Sequence, residues 1–272
     1  MVKIAIIGAG NMGGALARAL AGSVMVGAAG LTVANPSRPK LDALKADFPE
    51  MKVTTDNVQA VADADFVILA VKPWKMAGVI AEIASHIDVT RQAVVSVAGG
   101  MGTAEVSALF EQAGGLLPPL YYLIPNTAVA VRSGMTLMTS VRSTPERDDL
   151  LCSVFREMGD ALLVEERLMY GGMILASCGI AFVMRYLRAM TEGGVQLGYY
   201  PDEALRIVMQ TMRGAVDLLQ ERGTHPEAEI DRVTTPGGIT IRGLNAMERA
   251  GFTNSVIEGL LACLPADKQN HK

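Results

Sequence analysis

Cysteine and histidine are both scarce in this chain, and neither is arranged for chemistry. Cys152, Cys178 and Cys263 stand far apart, with no CxxC pair and no histidine at ligand spacing. That excludes a disulfide framework and a zinc site, so no metal is expected and a reducing, cytoplasmic setting is the default. Charge of one sign is also lacking. With 24 Lys and Arg against 28 Asp and Glu, the net charge of -4 gives no electrostatic case for nucleic acid or an anionic membrane. The expected partner is a small molecule. A secretory leader is missing from the expectation too, because the apolar start carries its glycines in mid-run and has no A-x-A cleavage pattern.

Long uncharged runs are few. The clearest, at 168–184, holds Gly171, Gly172, Ser177, Cys178 and Gly179 and ends at Arg185. It falls short of the roughly 20 apolar residues that a membrane span needs. A helix apolar all round must then be covered by protein. The short helical remainder of the chain buries little of it, so the expectation is a homodimer, or a higher assembly of dimers, built on the C-terminal helices.

What is present begins at the first residues. Ile4-Ala5-Ile6-Ile7 reads as a short apolar strand, and it breaks into Gly8-Ala9-Gly10-Asn11-Met12-Gly13 ahead of a small-residue helix at 14–21. A G-x-G-x-x-G between strand and helix lets the backbone approach a pyrophosphate, whose charge sits on the helix N-terminus. Gly8, Gly10, Asn11, Met12 and Gly13 are therefore candidate dinucleotide contacts. A tight turn with no ligand would use the same glycines.

Apolar β-rich runs at 2–7, 31–34, 52–54, 66–71, 93–97 and 120–124 alternate with helix-like stretches at 40–48, 75–87 and 104–112. Near-continuous apolar strands separated by helices predict a doubly wound α/β domain with a parallel sheet. Segments 135–139 and 161–164 add edge strands around a helix at 145–158, whose N-cap is Thr144 and whose first residue is Pro145. After Glu166 the strand pattern stops. Helices are predicted at 168–197, 201–222, 227–233, 238–249 and 254–264, and the tail at 267–272 reads as disordered. The division is thus 1–165, dinucleotide-binding, and 166–272, all-α and responsible for dimerisation and substrate binding.

The end of the second strand bears on which cofactor binds. An acidic residue there would accept the ribose 2′-hydroxyl and repel a 2′-phosphate. Here the sequence is Asn35-Pro36-Ser37-Arg38, with no carboxylate. Asn35, Ser37 and Arg38 offer an amide, a hydroxyl and a guanidinium suited to phosphate, so NADPH is favoured and NADH remains possible. Two further strand ends, Ala70-Val71-Lys72-Pro73 and Val97-Ala98-Gly99-Gly100, would line the same crevice.

These motifs, with Ile124-Pro125-Asn126-Thr127 and Val233-Thr234-Thr235-Pro236-Gly237-Gly238-Ile239-Thr240 in the same order, resemble the pyrroline-5-carboxylate reductases. The resemblance extends to about Leu264. It implies a Rossmann domain, an interlocked helical dimer, an active site shared between subunits, and hydride transfer from NAD(P)H to the imine carbon of L-1-pyrroline-5-carboxylate to give L-proline. By the same resemblance, Thr240 is the catalytic hydroxyl facing the ring nitrogen. Thr235 and the backbone of Gly237, Gly238 and Ile239 would hold the carboxylate, with the helix dipole behind them. Glu166 would be a substrate-adjacent carboxylate, and Asn57 and Asn126 would contact the cofactor.

Where many members show Ser-Gly-Ser-Gly-Pro-Ala-Tyr, this chain has Ala176-Ser177-Cys178-Gly179-Ile180-Ala181-Phe182. Losing the proline predicts a less kinked helix. Cys178 is expected as a buried small hydrophobe and not a nucleophile. Two other readings stay open. One is another NADP-dependent imine or hydroxyacid reductase, against whose hydroxyacid branch stands the lack of any lysine between Lys75 and Lys268. The other is a non-catalytic NADP-binding sensor, against which stands the intact Thr235 to Thr240 segment.

Overall fold

The computed structural model describes Met1–Pro265 and contains two compact units, Met1–Ser177 and a helical one beginning at Cys178. The predicted disordered tail lies outside the described residues.

The first unit runs β1 (Ile4–Ile7), α1 (Asn11–Ala21), β2 (Leu31–Ala34), α2 (Arg38–Asp47), β3 (Lys52–Thr54), α3 (Asn57–Val61), β4 (Phe66–Leu69), α4 (Pro73–Ile83), β5 (Ala93–Ser96), α5 (Thr103–Gln112), β6 (Leu120–Pro125), β7 (Gly134–Val141), α6 (Pro145–Arg156) and β8 (Gly159–Leu163). The strands form one sheet in the order β3-β2-β1-β4-β5-β6-β7-β8, parallel throughout except between β6 and β7. The chain winds outward from β1 to β3, then returns to lay β4 on the other side of β1. Ligands of open α/β sheets sit at such a reversal, outside the carboxyl ends of the strands.

The side chains explain the double layer. All four residues of β1 are buried. Ile4 and Ile6 pack with Leu16, Leu20 and Leu41 on one face, while Ala5 and Ile7 pack with Val67, Leu69 and Ile80 on the other. Period-two alternation sends successive residues to opposite faces, and both faces are apolar because helices cover both. Each Ile or Leu so buried contributes about 1.5–3 kcal/mol relative to exposure.

Several predicted bounds shift. β4 and β5 end at Leu69 and Ser96, so Ala70, Val71 and Val97 belong to the loops beyond them. β7 is not an edge strand but lies between β6 and β8, paired from Leu120↔Val141 to Pro125↔Thr136. The short helix α3 went unpredicted, since one turn shows no periodicity.

The predicted helix at 168–197 is not continuous. A 3-10 turn (Glu166–Leu168) leads into α7 (Met169–Met173), a π-helical stretch (Ile174–Cys178) and α8 (Gly179–Gln196). Ile180, where the family pattern has proline, lies in the regular helix α8, and the interruption is the π-helical stretch just before it.

The second unit contains α8, α9 (Pro201–Arg222), α10 (Pro226–Val233), α11 (Ile239–Arg249) and α12 (Phe252–Leu261). α8 packs along α9, with Gly194 so close to Ala204 that an added Cβ would meet its Cβ at 2.8 Å. Tyr186 and Phe252 tie α8 to α12, ring centroids 6.0 Å apart. Few side chains are buried, and Phe182, Val183, Met184, Ile207, Met209, Val256, Ile257 and Leu261 are all exposed. Exposed apolar faces of this extent are the kind that mark an interaction surface.

Candidate active site

The three motif glycines have three separate tasks. Gly8 has φ +106°, and a Cβ there would lie 2.7 Å from the carbonyl oxygen of Ala70, so it is fixed by the turn and by the loop after β4. Gly13 packs its α-carbon on the loop, where a Cβ would lie 1.9 Å from the carbonyl oxygen of Gly8. At Gly10 a Cβ would meet nothing within 4 Å. Open space at the middle glycine is what a ligand's approach requires, and Gly10 is the N-cap of α1 with no side-chain cap. The first N–H groups of α1, at Asn11, Met12 and Gly13, have no intrahelical acceptors and face an anion-favouring dipole. These residues fit a dinucleotide pyrophosphate.

At the end of β2, Ser37 is the N-cap of α2 and makes no capping bond, while Arg38 and Pro39 open the helix. Arg38 is exposed and its guanidinium has no partner among the described residues. Ser37 and Arg38 are thus free for a phosphate. Asn35 is not placed as the sequence suggested. It is buried, its Oδ1 accepts the N–H of Ala9 at 3.0 Å, and its Nδ2 donates to the carbonyl of Ser37 at 3.1 Å.

Past β4, Ala70 and Val71 are half-buried and Lys72 caps α4, with Pro73 as its first residue. Past β5, Val97 and Ala98 lead to Gly99, which is exposed with open space at its α-carbon, and Gly100, at φ +76°. Ser96 Oγ holds this turn by donating to the carbonyl of Met101 at 2.8 Å. The strand ends therefore bring Gly8 to Gly13, Ser37, Arg38, Ala70 to Pro73 and Val97 to Gly99 to one edge of the sheet.

Three other candidates are committed elsewhere. Asn57 opens α3 and donates to Glu82 Oε2 on α4 at 2.6 Å. Asn126 is buried, accepts from Ala128 N and Met135 N through Oδ1, and donates to the carbonyl of Ala176 in the π-helical stretch at 3.1 Å. Its carboxamide joins β6, β7 and that stretch. Glu166 sits in the 3-10 turn, and both its carboxylate oxygens accept from Thr103: Oε1 from the amide at 3.1 Å and the hydroxyl at 3.0 Å, Oε2 from the hydroxyl at 2.8 Å. A carboxylate on the first amide of α5 is favourable with the helix dipole. Thr103 was not foreseen, although a threonine following Gly102 at a helix start is a signal that could have marked it. Tyr122 was missed as well; it is largely buried beside Gly100, and burial raises its hydroxyl pKa.

In the helical unit, the Gly238 N–H donates to the Thr235 carbonyl at 2.9 Å around Pro236 and Gly237, with Gly237 at φ +69°. This is the pattern of a type II turn, which favours proline then glycine at its corner. Gly238 then caps α11 without a side chain, and a Cβ there would lie 2.5 Å from Thr235 Oγ1. The Gly238 amide is thereby spent on the turn, so the free donors are those of Ile239, Thr240 and Ile241. Ile239 and Thr240 are exposed, and the Thr240 hydroxyl has no partner among the described residues. The segment offers orphan N–H groups and one hydroxyl on a single exposed turn.

Cys178 is half-buried rather than buried, and burial with the neighbouring Cys263 thiol raises its pKa. Such a thiol is a poor nucleophile. Among the described residues no group of three or more His, Cys, Asp and Glu could hold a metal ion.

Residues 166–270 match the family model described as pyrroline-5-carboxylate reductase dimerisation, and residues 3–100 match that described as NADP oxidoreductase, coenzyme F420-dependent. Over 99% of its length the chain is 31% identical to a pyrroline-5-carboxylate reductase of Escherichia coli (strain K12), covering 98% of that protein. It is 32% identical to pyrroline-5-carboxylate reductase 1 of Dictyostelium discoideum, again over 99% of its own length, but spans only 51% of that longer relative. The structure of a pyrroline-5-carboxylate reductase from Coxiella burnetii superposes with a TM-score of 0.87 at 27% identity, covering 96% of both chains.

Proposed function

The chain belongs to the pyrroline-5-carboxylate reductase family, and on that premise we propose that it reduces L-1-pyrroline-5-carboxylate to L-proline, with NADPH preferred to NADH. The observation that carries the reading is the exposed start of α11, where orphan amides and the unpartnered Thr240 hydroxyl follow the Thr235 to Gly238 turn. The substrate is an anionic cyclic imine. Its carboxylate suits the amides of Ile239, Thr240 and Ile241, backed by the dipole of an 11-residue helix. Thr240 Oγ1 donates a hydrogen bond to the ring nitrogen, which withdraws electrons from the imine carbon and holds it in place for attack. The dinucleotide, when bound, supplies the hydride. The first unit orients that group through Gly10, Asn11, Met12 and Gly13 at the pyrophosphate, Ser37 and Arg38 at the 2′-phosphate, and the loops beyond β4 and β5.

The same reading places the protein as a cytoplasmic homodimer or assembly of dimers. The helical run Glu166–Gln196 is long and apolar enough to cross a membrane, and only 11% of its most apolar window is buried. The dimerisation match over 166–270 supports a second copy, not lipid, as its cover. The test is direct. Addition of L-1-pyrroline-5-carboxylate to enzyme and NADPH should consume NADPH and yield proline in equal amounts; an inert mixture in which NADPH nevertheless binds would point to a sensor.

A further inference from the structure

The cofactor crevice has two loops that face phosphate, one at Gly8 to Gly13 and one at Ser37 and Arg38, and a single buried side chain spans them. We infer that Asn35 is a positioning residue that couples the two loops, setting the pyrophosphate-facing backbone and the 2′-phosphate-facing turn with one carboxamide. Its Oδ1 accepts the Ala9 amide at 3.0 Å, and its Nδ2 donates to the Ser37 carbonyl at 3.1 Å. Ala9 and Asn35 are only 6% and 8% exposed, so water competes little for the bond between them, while the bond to the exposed Ser37 is part-buried.

The asparagine is itself anchored. Its backbone N–H donates to the Thr54 carbonyl of β3 at 3.2 Å, and the preceding residue, Ala34, accepts the Gly8 amide at 2.8 Å. The side chain therefore projects from a fixed point on the sheet. Turning the Ala9 N–H inward fixes the Gly8–Ala9 peptide, one residue before Gly10 and the uncapped start of α1, which are the groups left to face a phosphate. Holding the Ser37 carbonyl fixes the residue that precedes Arg38. An aspartate at this place would keep an oxygen for Ala9 but offer no N–H to Ser37. A leucine would keep the bulk and lose both.

This assignment rests on the dinucleotide reading of the first unit. It differs from a direct phosphate contact in what it demands of the two cofactors. A residue touching the 2′-phosphate affects NADPH alone, whereas one that shapes the pyrophosphate loop affects NADH as well. The experiment measures amide hydrogen exchange at Ala9 in the cofactor-free protein, and equilibrium dissociation constants for NADPH and NADH, in wild type, Asn35→Leu and Asn35→Asp. In Asn35→Leu, exchange at Ala9 should rise at least tenfold and both dissociation constants should rise by a similar factor of roughly ten, the worth of one lost buried hydrogen bond. In Asn35→Asp, Ala9 should stay protected and NADH should bind nearly as in wild type, while NADPH weakens. Unchanged exchange at Ala9 in Asn35→Leu, or weakening of NADPH alone there, overturns the coupling. So does loss of Ala9 protection in Asn35→Asp, which serves as the test if the leucine variant does not fold. Failure of the wild type to bind either dinucleotide would refute the cofactor reading, and the Ala9 exchange would still report on the bond.

Discussion

Adding one methyl group at Gly10 and at Gly13 should have opposite consequences, although both belong to the same short motif. At Gly10 the backbone sits at φ -74° and ψ -165°, open to any residue, and a Cβ has nothing within 4 Å. Gly10→Ala should gain about 0.4–1 kcal/mol from a stiffer unfolded chain and lose a comparable few tenths or more because alanine is a poorer N-cap than glycine. Those effects nearly cancel, so the unfolding temperature of the cofactor-free protein should stay within about 3 °C of wild type. Binding should not survive so well. A methyl in the space where a phosphate approaches the amides displaces at least one charge-assisted hydrogen bond, worth about 1.5–3 kcal/mol, or roughly tenfold to a hundredfold in the dissociation constant for NADPH. At Gly13 the new Cβ would fall 1.9 Å from the Gly8 carbonyl oxygen, backbone against backbone. Relief requires α1 to move off the sheet, so Gly13→Ala should destabilise by about 1–3 kcal/mol or more before any ligand is added. Thermal unfolding without cofactor and calorimetric titration with NADPH separate the two. Wild-type affinity in Gly10→Ala would refute the pyrophosphate assignment, and wild-type stability in Gly13→Ala would refute the packing argument.

Arg38→Ala should raise the Michaelis constant for NADPH about tenfold and leave NADH nearly untouched, the loss of one phosphate contact; equal effects on both cofactors would remove Arg38 from the 2′-phosphate. Thr240→Val should fold normally and lose roughly 30- to 1000-fold in turnover, with Thr240→Ser recovering most of it, as expected for one donor at a developing charge. Full turnover in the valine variant would assign the nitrogen to another group. Glu166→Ala should lower the unfolding temperature by about 2–6 °C, because the amide of Thr103 and its hydroxyl, shared between the two carboxylate oxygens, both lose their acceptor. An unchanged unfolding temperature with a raised Michaelis constant for the imine would give that carboxylate to the substrate instead. In sedimentation the full chain should run as a dimer or a multiple of dimers, and a monodisperse active monomer would contradict the cover proposed for α8, α9 and α12.

The sequence by itself determined the layered first unit. Apolar quartets such as Ile4-Ala5-Ile6-Ile7 and Phe66-Val67-Ile68-Leu69 state their burial on both faces directly, and the glycine spacing after the first of them marks the turn from strand into α1. Pro145 and Pro201 marked the starts of α6 and α9 to the residue. These signals are local, since periodicity and proline or glycine chemistry act within one element. What only the tertiary structure decided is how each polar side chain is used. An asparagine at a strand end can face a ligand or hold a loop, and the choice at Asn35 and Asn126 depends on Ala9 and Ala176, which the fold brings within 3.0 and 3.1 Å. Glu166 opens a helical segment in sequence, yet it spends its carboxylate on Thr103, 63 residues earlier. The π-helical turn at Ile174–Cys178 was likewise illegible, because the residues there fit an α-helix equally well. Hydrogen-bond partners are chosen by position in space, and a linear pattern records burial without recording who the partner is.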